Sequence, residues 1–476
     1  MMKTEHASHP LSRRALLRDT ACGFGAAALA ALLAGEQRLT AAPANPLAPK
    51  QPHFRPRAKS VIFLFMSGGP SHVDSFDPKP KLDRDHLKPI PFKMEQQFQP
   101  TLDYFGNLMK SPWQFRNYGQ SGLPVSDLFP HIGQCVDDLC IIRSMVGDGL
   151  DHGGALLQMH TGTVNLTRPS LGSWVLYGLG TENQNLPGFI TIRPHAAHSG
   201  ARNWSSAFLP GAYQGTPLGT SRTPVSQLRK EAIENLLNKN RTTDEQRYEL
   251  EMLAKMDRRH ARLREYDDRL ESRIQTFELA FRMQAEAPEA FDVERESEAT
   301  KKLYGLDDPQ TADFAWQCLL ARRLVERGVR FVQCTADDWD QHTELARLHA
   351  KNARGVDKPI AGLLRDLKSR GLLKETLVIW GGEFGRTPFM ERDGRDHNPY
   401  GFTMWMAGGG VKGGMAYGAT DDYGYHAVEN RMHIHDLHAT ILHLLGLDHT
   451  KLTYRYNGRD FRLTDVHGVV AKDILL

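Results

Sequence analysis

Short segments rich in Asp, Glu and His recur along the chain, each beside a run of apolar residues. They read SHVDSFD at 71–77, DDWDQH at 337–342, EFGRT at 383–387 and RDHN at 395–398. Carboxylates and imidazoles together suit Zn²⁺, whereas a site dominated by oxygen atoms suits Mn²⁺, Mg²⁺ or Ca²⁺. Each segment alone is weak evidence, because Asp and His are also common in turns and helix caps. The argument for a divalent metal site depends on whether the fold gathers them.

The elements between these segments predict how they are positioned. Apolar runs typical of strands buried on both faces lie at 61–66, 139–145, 189–192, 329–334, 377–380 and 402–406. Helical patterns occur at 311–326, 356–369 and 435–445. This alternation predicts an α/β fold, a three-layer sandwich with a mostly parallel central sheet. Since ligands bind beyond the carboxyl ends of such strands, the acidic segments should meet at one edge.

One long segment interrupts the alternation. Between 243 and 284, apolar residues recur three, four or seven positions apart, opposite a face dense in Arg, Asp and Glu. This spacing predicts a long amphipathic helix or helical hairpin, within an insertion at about 224–305, packed on the main body.

Five motifs together carry a family resemblance: SGGPSHVDSFDPKP, the WDxH form, GGEFGRTP, GRDH and HDLHATILHLLG. From about residue 60 to the C-terminus the chain resembles the sulfatase-like group called domain of unknown function family 1501. The order of its clusters resembles the alkaline phosphatase and sulfatase superfamily. The resemblance implies an alkaline phosphatase-like fold and metal-dependent hydrolysis of phosphate or sulfate esters, acting on an anionic small molecule or glycan.

Carried over by position, the resemblance implies a set of metal ligands: Asp74, Asp340, His342, Glu383, Asp396 and His397. Asp338, four residues before His342, is an alternative to Asp340. Arg386 would neutralise an anionic substrate or anchor Glu383, and an internal salt bridge is equally compatible with its position.

The nucleophile position departs from the superfamily. Its members place Ser, Thr or Cys ten residues before the Gly of a Thr-Gly pair, and counting back from Gly162 reaches His152. The sulfatase maturation pattern is absent around all five Cys, which argues against a formylglycine sulfatase. His152 is therefore a candidate nucleophile, general acid/base or metal ligand, or a structural residue in a fold that has lost its chemistry.

The N-terminus resembles a twin-arginine export signal. SRRALLR at 12–18 precedes a Gly/Ala/Leu stretch at 21–35 that is too short to span a bilayer well, and APA at 42–44 offers a cleavage site. We expect a signal peptide at 1–44, a linker at 45–58 and a periplasmic or extracellular protein, with an uncleaved membrane anchor as the alternative. Apart from this signal we expect no membrane association.

Composition excludes some function classes. The net charge is +3, and basic residues are interleaved with acidic ones rather than forming a stripe, so a nucleic-acid partner is not expected. The alternative to an enzyme is a non-catalytic periplasmic or surface protein that binds an anionic glycan or a protein partner on the same scaffold.

Overall fold

A nine-stranded sheet organises the chain, as seen in a computed structural model that describes residues 45–94, 105–238, 240–261 and 268–476. The segment predicted to be a signal peptide, 1–44, lies outside the described residues. Leu47–Leu476 forms one compact unit.

The strands of this sheet are numbered in chain order. They are β1 Ser60–Met66, β2 Leu139–Val146, β3 Phe189–Ile192, β4 Thr216–Leu218, β5 Phe331–Ala336, β6 Thr376–Gly381, β7 Phe402–Ala407, β8 Met415–Tyr417 and β9 Met432–His433. Their spatial order is β8-β2-β7-β6-β1-β5-β3-β4, and β9 also pairs with β2. Only β7 runs antiparallel to its neighbours within this sheet.

Strand β1 shows why the sheet is covered on both faces. All seven of its residues are buried, as expected for a continuous apolar run in a parallel sheet. Ile62 and Leu64 point into one hydrophobic core, whereas Phe63 and Phe65 point into a second core on the opposite face. The two cores follow from the alternation of side chains along a strand.

Eleven α-helices lie in the described part of the chain. They are α1 Pro80–Arg84, α2 Pro130–Gly133, α3 His152–Thr161, α4 Leu171–Leu179, α5 Val225–Leu228, α6 Thr243–Ala261, α7 Asp268–Phe291, α8 Glu298–Tyr304, α9 Ala312–Glu326, α10 Leu345–Ser369 and α11 Ile434–Leu444. Residues of α9 and α10 fill the first core, and residues of α3, α4 and α11 fill the second. The predicted α/β three-layer sandwich with a mostly parallel sheet is confirmed.

The predicted helical insertion forms two helices, α6 and α7. The Gln284 side chain of α7 donates to Gln246 of α6 at 2.9 Å. Its packing differs from the expectation: Leu253, Met256 and Phe277 are 50–65% exposed, whereas the end of α7, from Met283 onwards, joins the first core. The apolar spacing is that of a helix, but among the described side chains these three apolar residues of the hairpin stay exposed to solvent.

Residues 47–58, expected to belong to a linker, pack on the body of the domain. The backbone N–H groups of Arg57 and Ala58 both donate to Leu444 O, and Phe54 N donates to Gly446 O. Leu47 and Ala58 are buried. Throughout the described ranges, the structure contains no helix with the length and apolar character needed to cross a bilayer.

Candidate metal centre

Loops from three neighbouring parallel strands meet at the carboxyl edge of the sheet. Gly68 follows β1, Asp340 follows β5 and Glu383 follows β6. Gly68 N donates to both carboxylate oxygens of Glu383, at 2.9 and 3.1 Å. The φ angle of Gly68 is +114°, and a Cβ atom there would lie 2.7 Å from Asp340 N. The close approach of these loops therefore requires glycine.

Helix α3 brings His152 to the same edge. Asp151 caps this helix by accepting a hydrogen bond from Gly154 N at 3.1 Å. His152 Nδ1 lies 2.8 Å from Glu383 Oε1, and an ionised carboxylate only accepts, so Nδ1 carries a proton. His152 Nε2 lies 3.1 Å from Asp340 Oδ2, and it is buried with no hydrogen bond of acceptable geometry to any described residue.

Two further imidazoles complete the cluster. His397 Nδ1 donates to Leu150 O at 2.9 Å, and His342 Nδ1 contacts the carboxylate of Glu391. These contacts fix the orientation of both rings, so that the Nε2 atoms of His342 and His397 face each other at 3.2 Å. Outer partners of this kind hold metal-binding histidines in place in known metal sites.

The Nε2 atoms of all three histidines converge on Asp340. Its Oδ1 lies 2.8 Å from His342 Nε2 and 3.3 Å from His397 Nε2, and its Oδ2 lies 3.1 Å from His152 Nε2. The predicted residues Asp340, His342 and His397 are thus brought together with His152.

The charges of the cluster depend on one another. Burial raises the pKa of Asp340, but the three histidines and Arg386 outweigh it and hold the pKa well below its usual range. Burial alone would lower the pKa of His152. The carboxylates of Asp340 and Glu383 outweigh burial and raise the pKa to about 9. The contact with Asp340 raises the pKa of His342, and burial lowers the pKa of His397.

The donor set fits a divalent cation. Within the described residues, two sets of three side chains place ligand atoms within 4.8 Å of one another: His152, Asp340 and His397, and His342, Asp396 and His397. Two ligands of a tetrahedral Zn²⁺ lie roughly 3.3 to 3.5 Å apart, given bonds of about 2.0–2.2 Å. In the first set His152 Nε2 lies 3.1 Å from Asp340 Oδ2 and His397 Nε2 lies 3.3 Å from Asp340 Oδ1, so the two nitrogen atoms approach the two oxygens of one carboxylate at distances close to this value. Three protein ligands leave a fourth position open, as in catalytic zinc sites.

Comparison with protein families decides the relationship suggested by the motifs. The model of a family described as "Protein of unknown function (DUF1501)" matches residues 58–475. The chain belongs to the DUF1501 family. This confirms the family predicted from the motifs of the sequence. A search of curated protein sequences found no significant match.

Solved structures show distant similarity to this DUF1501 protein. The lipoteichoic acid synthase LtaP from Listeria monocytogenes has a TM-score of 0.37 at 9% identity, covering 88% of this chain and 79% of that one. For the PsFucS1 sulfatase from Pseudoalteromonas sp. the values are 0.35 and 12%, covering 83% and 68%. For alkaline phosphatase from the Antarctic bacterium TAB5 they are 0.34 and 11%, covering 83% and 99%.

Asp74, the first ligand implied by the family resemblance, is not brought into the cluster of this DUF1501 protein. Its carboxylate is fully buried and accepts from Arg395 through Nε at 2.7 Å and Nη2 at 3.1 Å, and from Ser71 Oγ at 2.5 Å. Burial raises the pKa of Asp74, but the Arg395 guanidinium outweighs it and lowers the pKa. Asp74 is the partner in an internal ion pair and belongs to neither set of possible ligands among the described residues, unlike the placement that the resemblance implied.

Arg386 also differs from the substrate-binding expectation. Its side chain is 0% exposed, so it does not reach a substrate in this structure. It donates to Gly69 O at 2.9 Å and Trp339 O at 3.2 Å, and it lies 2.7 Å from Asp340 Oδ1. It forms the internal salt bridge that the sequence left open, with Asp340 rather than Glu383 as its partner.

The remaining predicted ligands lie at the edge of the cluster. Glu383 contacts the Nδ1 side of His152 rather than its Nε2 side, which is the place of an orienting partner rather than a ligand. Asp396 Oδ1 accepts from His397 N at 2.7 Å and lies 3.9 Å from His342 Nδ1. Of the two neighbouring acids, Asp340 within the WDxH motif reaches the histidines, and Asp338, just before the motif, belongs to neither set of possible ligands.

Sequence reasoning missed His349, which supports the site from α10. Its Nε2 accepts from Ser71 N at 3.1 Å, so Nδ1 carries the proton, and Nδ1 lies 2.6 Å from Gln341 Oε1. Burial lowers the pKa of His349 to about 3, which keeps the ring neutral. It thereby joins the loops that follow β1 and β5. His349 precedes the helix predicted at 356–369 and lies outside the four segments rich in Asp, Glu and His, so no sequence pattern indicated this role.

Glu391 and Arg395 were missed as well. Glu391 lies at the end of a short strand, Phe389–Glu391, which pairs with Phe105–Leu108. Arg395 belongs to the GRDH motif, in which only Asp396 and His397 had been assigned roles. Both residues lie in the charged run ERDGRD at 391–396, a pattern equally typical of an exposed turn.

Proposed function

We propose that this DUF1501 protein hydrolyses phosphate or sulfate esters with a bound divalent cation. The observation that carries the proposal is the convergence of three imidazole Nε2 atoms on the Asp340 carboxylate. Nitrogen-rich donor sets of this kind favour Zn²⁺ over Mg²⁺ or Ca²⁺, which prefer oxygen ligands.

In this proposal His152, Asp340 and His397 hold the ion. His152 is preferred to His342 as a ligand because its Nε2 is buried without a hydrogen bond of its own within the described chain. Glu383 fixes the His152 ring by accepting from Nδ1–H. When bound, the cation supplies Lewis acidity, which polarises an ester oxygen and lowers the pKa of a water molecule.

His342 is assigned to proton transfer. Its raised pKa results first from the contact with Asp340 and then from the contact with Glu391. The raised pKa favours a proton on Nε2, which lies 2.8 Å from Asp340 Oδ1, beside the proposed ion. From there it can donate to the leaving oxygen of the substrate as a general acid.

The decisive experiment measures metal and turnover together. The mature protein is analysed for bound metals and then assayed with aryl phosphate and aryl sulfate, before and after chelation and after Zn²⁺ is restored. We expect Zn²⁺ in the protein, turnover that chelation abolishes, and recovery with Zn²⁺. Metal without turnover of either ester would favour the alternative of a binding protein, and absence of both would overturn the proposal.

Export is proposed from the sequence alone. Support comes from Arg13 and Arg14, the short apolar stretch at 21–35 and the small residues at 42–44. A double substitution of both arginines by lysine should keep the full-length precursor in the cytoplasm in a fractionation experiment. Normal processing of that variant would argue against the twin-arginine route.

A further inference from the structure

A cavity of about 880 Å³ opens beside the candidate metal centre. Its wall includes Asp337, Asp338 and Trp339, which follow strand β5 and lead directly to Asp340. The cavity and the cluster of histidines are therefore formed by the same loop.

A short series of imidazole rings connects the two places on another side. His195 lines the cavity and stacks on His198, with ring centroids 5.2 Å apart. His198 in turn lies 5.2 Å from the ring of His152. The metal centre and the cavity are thus joined by ring contacts through His198 as well as by the loop after β5.

Several buried polar atoms in the cavity wall have no hydrogen-bond partner in the described part of the protein. They are Thr335 Oγ1, Asp337 Oδ1, Trp339 Nε1 and Arg193 Nε. Thr335 is 3% exposed and Trp339 is 0% exposed. Buried polar groups without partners are costly, and they are normally satisfied by water or by a ligand. Together these atoms offer an acceptor and several donors, the combination needed to bind hydroxyl groups.

The rim of the cavity is basic. Five cationic side chains line the cavity, against three carboxylates: Arg193, Arg222, Arg347, Lys351 and Arg354, against Asp313, Asp337 and Asp338. Arg347 is paired with Glu344 at 2.8 Å, whereas Arg222 and Lys351 form no ion pair with any described residue. These cations favour a ligand that carries negative charge.

We propose that this cavity binds a sugar unit of an anionic oligosaccharide, next to the unit whose ester lies at the metal centre. Asp337 accepts hydrogen bonds from sugar hydroxyls, Thr335 hydrogen-bonds a neighbouring hydroxyl, and Arg222 and Lys351 bind a sulfate or phosphate group. The placement of the reacting ester rests on the proposed function, but binding in the cavity does not depend on turnover.

Calorimetry on the mature protein tests the binding. The probes are a sulfated disaccharide, the same disaccharide carrying phosphate, and the neutral disaccharide. We expect the Asp337→Asn variant to bind the neutral disaccharide at least tenfold more weakly, because with this probe the lost contact to a hydroxyl group is not offset by weaker repulsion of an anion. The matched control is Asp313→Asn, which removes a more exposed carboxylate from the same cavity and should change binding less than twofold. Equal effects of the two substitutions would overturn the assignment of Asp337.

A second variant tests the charge preference. Replacing both Arg222 and Lys351 by glutamine should weaken the charged disaccharides at least tenfold and change the neutral disaccharide less than twofold. The charged form bound more tightly shows whether sulfate or phosphate is preferred. Equal weakening of charged and neutral probes would refute the role given to the two cations.

Failure of this inference is distinguishable from failure of the proposed function. Metal-dependent turnover of aryl esters together with no binding of any disaccharide would refute the cavity assignment and leave the hydrolase proposal standing. Disaccharide binding that is sensitive to Asp337→Asn, without metal or turnover, would leave the cavity assignment standing and refute the hydrolase.

Discussion

Arg395 and Asp74 form a two-bond ion pair, with Nε 2.7 Å from Oδ2 and Nη2 3.1 Å from Oδ1, and neither side chain is exposed. The pair joins the turn after β1 to the segment that precedes β7. Arg395 also donates to Thr387 O at 3.0 Å and Met109 O at 3.1 Å. The carboxylate nearest to strand β1 in the DSFD motif thus supports the architecture around the histidines rather than the ion itself.

Replacing Arg395 by methionine should destabilise the protein by about 3–5 kcal/mol, because it leaves the Asp74 carboxylate buried without its cation. Chemical denaturation measures the free energy of unfolding. The double variant Asp74→Asn/Arg395→Met removes both charges, and we expect it to recover part of the loss. A double variant less stable than the single one would contradict this reading of the pair.

Metal content separates Asp74 from the cluster. We expect His397→Ala to abolish stoichiometric Zn²⁺ binding, because His397 belongs to both candidate ligand sets. Asp74→Asn should retain the metal, with reduced stability only. His426→Ala serves as the histidine control, since His426 lies beside Asp421 and outside both sets. Loss of metal from the Asp74 variant in folded protein would restore Asp74 as a ligand.

Zn²⁺ affinity should rise with pH, because a proton and the cation compete for His152 Nε2. In the metal-free protein the pKa of His152 is raised to about 9, so the proton is favoured at every pH below that value. The affinity should increase about tenfold per pH unit from pH 7 up to about 9 and then level off. Competition with a chelator of known affinity measures this.

Glu383→Gln provides the control for this pH dependence. The substitution removes a negative charge that raises the His152 pKa, so the levelling should occur at lower pH than in the parent protein. An affinity that does not change between pH 6 and 9 would show that His152 is not the group that loses a proton.

The left-handed backbone at Gly68 gives a test of the loop packing. In a Gly68→Ala variant the new Cβ would lie 2.7 Å from Asp340 N, so the Asp340 loop must move and we expect metal binding to be lost. Gly122→Ala is the matched control: its φ is also positive, +65°, but no atom lies within 4 Å of the added Cβ. The control should lose only about 1–2 kcal/mol of stability and keep its metal.

His342→Gln tests the proton-transfer role. The variant should keep Zn²⁺, because His152, Asp340 and His397 remain, while kcat falls by about 100-fold or more, as is typical for loss of a general acid. The loss should be smaller for aryl esters with better leaving groups, since these need less protonation. Loss of the metal instead would place His342 among the ligands.

Much of the framework followed from the sequence. The run at 402–406 became strand β7, Phe402–Ala407, and the helix expected at 311–326 became α9, Ala312–Glu326. Continuous apolar runs and 3.6-residue periodicity determine such elements locally, which is why they are readable. The residues Asp340, His342 and His397 were found because each lies beside a predicted strand of the sheet.

The roles within the site were harder to infer. Whether Asp74 binds a metal or forms an ion pair depends on its contact with Arg395, which lies 321 residues further along the chain. No local sequence pattern encodes that contact. For the same reason the sequence left the partner of Arg386 open, and it could not distinguish a ligand at Glu383 from a residue that orients His152. The helices α6 and α7 show a related effect, since an apolar stripe predicts a helix without showing what covers it.

The position of β1 in the sheet constrains how this chain reaches its native state. Both neighbours of β1 come late in the sequence, with Val61 opposite Phe331 on one side and Leu377 on the other. Both edges of β1 stay unpaired until roughly seven-tenths of the polypeptide has been synthesised, and one edge stays unpaired until roughly four-fifths, a condition that invites aggregation. Fragments ending before β6 should therefore be insoluble, and the nascent chain should need a chaperone to shield β1 while it waits for its partners.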